Sequence, residues 1–221
     1  MIRLDLNSPF AAPRPAHPDK PAADGPGPLA LEHWRRLFDV TDAELKARLV
    51  AVLDPRADRL GAEIATKPEL YLPFWTAALL VVCLFVFAGL SWTGSTPALA
   101  FDLLSLAGSY VFGYLVCFPA LLHLYARIQN ARSELFALVA LMGYSLAFYV
   151  PAAALCALPH PLLQWACLLA AFALSARFIW RNLRGVVAFE GENSALLTTL
   201  LALGVHALFT LCLKLRFFGP A

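Results

Sequence analysis

Charged residues are scarce in this chain. Asp, Glu, Lys and Arg make up 14% of its 221 residues, and 60% are hydrophobic, whereas about 25% of a typical soluble domain is charged. The formal net charge of +2 is too small and too scattered to form the basic stripe that binds phosphate backbones. We therefore exclude nucleic acid as a partner and interpret the composition as that of a membrane protein.

Motifs of metal binding and catalysis are also missing. The sequence has no CxxC pair, no HExxH, no GxSxG and no P-loop. The five cysteines all lie in apolar stretches and are interpreted as small buried hydrophobic residues: Cys83, Cys117, Cys156, Cys167 and Cys212. We predict no catalytic residue, no metal site, no cofactor and no enzymatic activity.

The N-terminal region lacks the short apolar run of a secretory signal. Residues 1–28 are rich in Pro, Ala and Gly and predict a disordered tail. Residues 29–70 form a polar cytosolic head, and residues 1–70 together hold 10 of the 17 Lys and Arg and 11 of the 15 Asp and Glu. Residues 71–218 are then a hydrophobic membrane domain, whose first span is expected to act as its own insertion signal.

The head contains the start signal of a helix over residues 41–54. Thr41 and Glu44 have the T-x-x-E spacing of a capping box, and Asp54 and Pro55 supply the end. Apolar residues follow at helical spacing and predict one apolar stripe: Leu45, Leu49, Val52 and Leu53. The helix is therefore amphipathic and needs a surface to lie against.

Two surfaces fit this amphipathic helix. It packs on the membrane domain of its own chain, or it binds a partner through apolar side chains of the head: Trp34, Phe38, Leu45 and Leu49. The neighbouring basic residues suit anionic lipid headgroups or an acidic partner. The sequence leaves both interpretations open.

Five apolar stretches follow the head, at residues 71–92, 101–125, 134–158, 162–180 and 195–213. At about 1.5 Å per residue, each reaches the roughly 30 Å of a hydrocarbon core. We predict an all-α polytopic protein with five transmembrane helices. Only residues 159–161 separate the third span from the fourth, so this pair forms a tight hairpin or a re-entrant structure.

Basic residues near the span ends predict the orientation. One side of the membrane receives only Lys214 and Arg216, and the other collects eight: Arg56, Arg59, Lys67, Arg127, Arg132, Arg177, Arg181 and Arg184. This asymmetry predicts a cytosolic N-terminus and, with five spans, a C-terminus on the opposite side.

Ionisable residues are rare within the spans, where they usually mark function. Most lie near a predicted span end and are expected to reach the interface: Asp102, Glu134, Arg177 and Lys214. Only His206 lies deep in a span. A lone histidine there is more often a neutral hydrogen-bonding group between helices than a proton relay.

The third span contains the unusual stretch MGYSLAFYVP, residues 142–151. Small residues allow close helix packing and hydroxyl groups bond between helices, while Pro151 is expected to free the carbonyl of Ala147 and kink the helix. The stretch is either an ordinary kinked helix of a bundle or a packing surface shared with another membrane protein.

Two motifs resemble the Yip-domain family (YIPF proteins). Residues 69–75, ELYLPFW, are similar to the D-L-Y-G-P-x-W motif of that family, through Glu69, Tyr71, Pro73 and Trp75. In the third span Gly143, Tyr144, Ser145 and Pro151 match its G-Y-S-L motif and following proline. Leu72 replaces the motif glycine and Glu69 its aspartate. Because a residue before proline avoids the helical region, we expect residues 70–73 to be extended.

The resemblance implies a multi-pass membrane protein of the Golgi or endoplasmic reticulum with a lumenal C-terminus. It also implies an adaptor in vesicle transport, whose partners are a Rab-type small GTPase and related Yip-domain proteins. Two other hypotheses stay open. One is membrane shaping by the hairpin over residues 134–180 and the amphipathic helix, and the other is a small-solute transporter with His206 and Tyr144 along its path.

Overall fold

The computed structural model describes residue 35 and residues 37–54, 60–91, 97–158, 160–189 and 191–218. Contacts divide the chain into two units, Met1–Trp34 and Arg35–Ala221, and every described residue belongs to the second. The predicted disordered tail and Trp34 lie outside the described residues.

The head contains the helices α1, Asp42–Leu53, and α2, Leu60–Thr66. The capping box is confirmed, because Thr41 Oγ1 accepts from the Glu44 amide at 3.4 Å and Glu44 Oε2 accepts from the Thr41 amide at 3.2 Å. A hydrogen bond from Lys67, followed by the Thr41 amide, lowers the pKa of Glu44 below its ordinary value of 4.5. The stability that ionised Glu44 contributes through these bonds is therefore fully present above pH 4.5 and is lost as the pH falls through the lowered pKa.

The body consists of long apolar helices, since hydrocarbon offers the backbone no other hydrogen-bonding partner. They are α3 (Tyr71–Ser91), α4 (Pro97–Ile128), α5 (Leu135–Ser145) continued by a 3₁₀ turn (Leu146–Phe148) and α6 (Tyr149–Leu155), α7 (Pro161–Val186) and α8 (Glu192–Phe217). Each of the five is long and apolar enough to cross a membrane. The predicted all-α fold with five spans is confirmed.

Three helices extend further than the apolar stretches that predicted them, and one of them is α4, which covers Pro97–Ile128 where residues 101–125 were predicted. The fourth stretch ends at residue 180 but α7 continues to Val186, and α8 begins at Glu192 rather than at residue 195. Hydropathy detects only the part of a helix that hydrocarbon surrounds, and the polar ends of these helices continue beyond it.

Short connections join the spans. α4 ends in a Schellman-type cap, in which Ala131 donates to the carbonyl of Ala126 at 2.9 Å and Asn130 has a φ of 56°. The next residues form β1, Arg132–Ser133, which pairs antiparallel with β2, Val187–Ala188. At the other end of the body, His160 caps the start of α7 one residue before Pro161.

The third span is the centre of the body. In the most apolar 18-residue part of the third span 61% of the residues are buried, whereas the corresponding parts of the other four spans are 33–39% buried. The helix is interrupted one turn before Pro151 by the 3₁₀ turn Leu146–Phe148, at the place where Pro151 is expected to cause a kink. There the Tyr149 amide bonds to the carbonyl of Leu146, so the carbonyl of Ser145 loses its helical donor and is open to a side chain.

Candidate functional site

A buried carboxylate lies where the head meets the first span. The Glu69 side chain has no exposed surface. Its Oε2 accepts from the Leu72 amide at 3.2 Å, which satisfies a free donor at the start of α3 and places negative charge at the positive end of the helix dipole. Its Oε1 accepts a hydrogen bond from the Tyr144 hydroxyl on the third span.

The cation that faces this carboxylate comes from the head. Arg48 of α1 is 7% exposed, and its Nη1 lies 4.0 Å from Glu69 Oε1. Its Nη2 donates to the carbonyl of Lys67 at 3.1 Å. A buried acid needs a paired cation and hydrogen bonds to stay charged. Arg48, Glu69 and Tyr144, here called the junction triad, therefore connect α1, the start of α3 and α5.

Pro73 and Gly143 bring the first and third spans into direct contact beside the junction triad. A Cβ atom added to Gly143 would lie 2.8 Å from Pro73 Cα, so only glycine fits. The extended conformation expected for residues 70–73 is wrong. α3 already begins at Tyr71, and Pro73 is tolerated because the first turn of a helix needs no amide donor. Leu72 can replace the motif glycine because its conformation is helical.

The two family motifs thus form a single site, although about 70 residues separate them. Gly143 makes room for Pro73 and Tyr144 donates a hydrogen bond to Glu69, and both residues of the third span are buried inside the chain itself. Ser145 is buried as well, whereas the other three motif residues face outward: Tyr71 is 40% exposed, Trp75 is 54% exposed and Pro151 is exposed. Tyr71 and Trp75, with ring centroids 6.3 Å apart, are of the type that anchors spans at the interface.

A second contact holds α2 against the cytosol-proximal part of α7 in the predicted orientation. The Gly61 amide donates to Asn182 Oδ1 at 2.8 Å, and a Cβ atom on Gly185 would lie 2.8 Å from the carbonyl carbon of Gly61. Backbones approach this closely only where both residues are small. The head is therefore fixed to two different spans.

The candidate partner-binding residues of the head differ in exposure. Phe38 is 46% and Leu49 is 40% exposed, whereas Leu45 is half-buried. The predicted apolar stripe does not face a single environment, since Val52 is buried against the body and Leu53 is 57% exposed. The reason is Arg48, whose pairing with Glu69 turns the neighbouring face of α1 toward the body.

A second buried polar cluster surrounds His206 in the middle of the spans. The His206 side chain has no exposed surface. Its Nδ1 lies 2.5 Å from the Tyr114 hydroxyl, and its Nε2 lies 2.6 Å from Ser175 Oγ and 3.1 Å from the Tyr149 hydroxyl. These three partners belong to the second, fourth and third spans. His206 therefore connects four of the five spans. Its partner Ser175 also donates to the carbonyl of Ser145 at 3.0 Å, which the 3₁₀ turn leaves without its helical donor.

The hydrogen bonds assign the tautomer of this histidine. The hydroxyl protons of Ser175 and Thr210 are used by backbone carbonyls, each at 3.0 Å. Tyr149 then donates to Thr210 Oγ1 at 2.5 Å, so both oxygens that face Nε2 act as acceptors. This assignment of the hydroxyl protons is satisfied when the neutral ring carries its proton on Nε2 and Nδ1 accepts from Tyr114. Every donor in the cluster has an acceptor, as in a structural histidine.

We expect His206→Ala to lower the free energy of unfolding by about 2 to 4 kcal/mol, because it removes the nitrogen acceptor of the Tyr114 hydroxyl and opens a cavity. The measurement is equilibrium unfolding of the purified full-length chain in detergent micelles. Leu208→Ala is the control, since Leu208 lies on the same helix and is 58% exposed. Equal stability of the two variants would contradict a structural role for the histidine.

Lys214 corrects one expectation from the sequence. It does not extend to the interface but is 5% exposed, and its Nζ donates to Gln164 Oε1 at 3.0 Å and to the carbonyl of Phe218. Gln164 in turn donates to the carbonyls of Cys156 and Leu158 at 3.1 and 3.2 Å. The cluster closes the turn between the third and fourth spans against the end of the fifth.

The sequence contained a signal for several of these residues that hydropathy overlooks. Hydrogen-bonding side chains inside apolar helices usually bond to other helices. Four residues of the two buried clusters are of this type: Tyr114, Tyr149, Ser175 and Gln164. Arg48 gave no such signal, because a surface helix commonly carries arginine. Within the described part of the chain, no group of three or more His, Cys, Asp or Glu is placed to hold a metal ion.

These features define a polytopic α-helical membrane protein whose head is fixed to a five-span body by a buried ionic site. A family model described as the Yip1 domain matches residues 50–213. The chain belongs to the Yip1-domain family. The Protein YIPF1 homolog of Dictyostelium discoideum is 26% identical over 199 residues, which cover 86% of this chain and 56% of the relative. The chain thus spans about half the length of this curated relative. No solved structure matches the chain.

Proposed function

We propose that this protein is a membrane adaptor in vesicle transport between the endoplasmic reticulum and the Golgi. Its head binds a Rab-type small GTPase, and its spans associate with related Yip-domain proteins in the bilayer. Membership of the Yip1-domain family supports this proposal. The excess of basic residues on one side supports a cytosolic head and a lumenal C-terminus.

One structural observation carries the proposal. Phe38 and Leu49 expose apolar side chains on a head that the junction triad fixes to the spans. Exposed aromatic and aliphatic side chains on a rigid support serve as anchors in protein interfaces, because little conformational entropy is lost on binding. Such a head holds a cytosolic partner at a defined position above the membrane.

We expect the double variant Phe38→Asp/Leu49→Asp to lose GTPase binding, by at least about 2 kcal/mol or some thirtyfold in affinity. The full-length chain in nanodiscs is assayed against a panel of Rab-type GTPases in the GDP and GTP-analogue states. Ala43→Asp/Ala47→Asp is the matched control, since it adds the same two negative charges at exposed positions of α1. The proposal fails if the wild type captures no GTPase or if the double variant binds as well as the control.

A second candidate function is membrane shaping by α1. Leu49, Val50 and Leu53 are all exposed on one side of this helix, and Leu53 shares a groove with Leu174 of the fourth span. This proximity supports insertion of α1 into the headgroup layer, where an amphipathic helix responds to curvature. Vesicles whose diameter stays constant over a wide range of protein-to-lipid ratios would contradict this function.

A further inference from the structure

A groove lies between the end of α1 and the membrane-facing side of α7. Three kinds of side chain line it. Among the described residues, Leu53, Leu174, Phe148 and Phe178 are apolar, Arg177 and Arg181 are basic, and Asp54 is acidic. Val52 and Asn182 also line the groove. The groove is separate from the junction triad and from the His206 cluster.

The basic and apolar parts of the groove are arranged in order along α7. Leu174, Arg177 and Arg181 follow one another at about one helical turn, so they extend over roughly 10 Å of the helix. The apolar stretch that predicts the fourth span ends at Trp180, which is 41% exposed and is of the type found at membrane interfaces. The end of this apolar stretch predicts that the two guanidinium groups lie at the level of the lipid headgroups, with Leu174 one turn deeper.

The apolar walls of the groove are accessible to lipid. Leu53 is 57% exposed and Leu174 is 51% exposed, one on each side. Phe148 and Phe178 pack with ring centroids 6.2 Å apart and form the floor. An acyl chain lying between the two leucines removes their apolar surface from contact with water and headgroups.

We propose that this groove binds one anionic phospholipid, with its phosphate at Arg177 and Arg181 and the upper part of an acyl chain between Leu53 and Leu174. Guanidinium groups form paired hydrogen bonds with phosphate oxygens, and basic pockets between spans on the cytosolic side recognise anionic headgroups. Among the described residues that line the groove, the two arginines face one carboxylate, that of Asp54, so this lining has a net positive charge. Because Leu53 belongs to α1, the bound lipid contacts the head as well as the spans.

This proposal does not depend on a GTPase partner, and lipid binding by the purified full-length chain tests it directly. Native mass spectrometry measures how much phosphatidylinositol 4-phosphate, phosphatidylserine or phosphatidylcholine stays bound after release from mixed micelles. Soluble inositol phosphate is tested at the same concentration, because it has the phosphate groups without an acyl chain. We expect both anionic lipids to be retained in preference to phosphatidylcholine, and no retention of the soluble compound.

Arg177→Gln/Arg181→Gln is expected to lower retention of the anionic lipids by about thirtyfold, to the level of phosphatidylcholine, since each arginine near the surface contributes roughly fivefold. Arg127→Gln/Arg184→Gln is the matched control. It removes the same charge from two exposed residues of the same side that do not line the groove, and it should retain lipid as the wild type does.

The proposal is overturned if the wild type retains phosphatidylcholine equally, if both double variants lose the same amount, or if soluble inositol phosphate binds as well as the lipids. Size-exclusion chromatography checks that each variant is folded. If Arg177→Gln/Arg181→Gln does not fold, the two single variants take its place. Each is expected to lose about fivefold, and unchanged retention by both would overturn the proposal.

Discussion

Replacing Glu69 with alanine is expected to destabilise the protein by about 3 to 5 kcal/mol, which is the usual effect of removing one partner of a buried ion pair. Two groups lose their hydrogen-bond acceptor, the Tyr144 hydroxyl and the Leu72 amide, and the Arg48 guanidinium loses its counterion. A cation left without a counterion in a buried site carries the largest part of this effect. Equilibrium unfolding of the full-length chain in detergent micelles measures it.

Two further variants separate the ionic contribution from general damage. Glu63→Ala is the control, because Glu63 is an exposed acid on the neighbouring helix α2, and its effect should stay within about 0.5 kcal/mol. Adding Arg48→Met to Glu69→Ala should restore about half of the lost stability, since it removes the unpaired charge but leaves the Tyr144 hydroxyl without an acceptor. If the double variant is less stable than Glu69→Ala, Arg48 and Glu69 do not form a pair.

Glu69→Ala also tests the proposed function. The junction triad is the ionic connection between α1 and the spans, so its loss should release α1 from the body while the apolar spans still insert. A GTPase that binds the exposed side of a fixed head would then lose affinity without any change in its own contact residues. Comparing Glu69→Ala with Phe38→Asp/Leu49→Asp distinguishes a loss of positioning from a loss of contact.

Features determined by local sequence were predictable. The capping box depends on two residues three positions apart, and the kink of the third span depends on Pro151 and the turn before it. The spans follow from the length of the apolar stretches, because hydrocarbon permits little besides a helix. The ends of the spans were predicted less accurately, since α7 continues almost two turns past the end of its apolar stretch.

The buried polar sites were not predictable in the same way. Glu69 and Lys214 stand near span ends, where a charged side chain ordinarily reaches water. Their burial depends on partners far away in the sequence: Glu69 bonds to Tyr144, and Lys214 bonds to Gln164, 50 residues earlier. The helical start at Tyr71 was missed for a similar reason. A local preference of the residue before proline is overcome when Glu69 caps the helix and Pro73 packs on Gly143.

The second large loss of stability is expected from substitutions of Gly143. Alanine there should lower the free energy of unfolding by about 1 to 3 kcal/mol, and valine by more, because overpacking forces neighbouring atoms apart. The new Cβ would lie 2.8 Å from Pro73 Cα and 3.2 Å from Leu115 Cδ1. The first of these is backbone and cannot rotate away, so the first span must separate from the third. The measurement is the same unfolding equilibrium in detergent micelles.

Gly108→Ala provides the matched control, because a Cβ at Gly108 meets no atom within 4 Å. It should be neutral or stabilise the helix by up to about 1 kcal/mol. Pro73→Ala should not rescue Gly143→Ala, since the Cα and Cβ atoms that meet the new methyl group are retained in alanine. Rescue would instead mean that the rest of the proline ring causes the conflict. Equal stability of Gly143→Ala and Gly108→Ala would show that the first and third spans do not pack through this glycine.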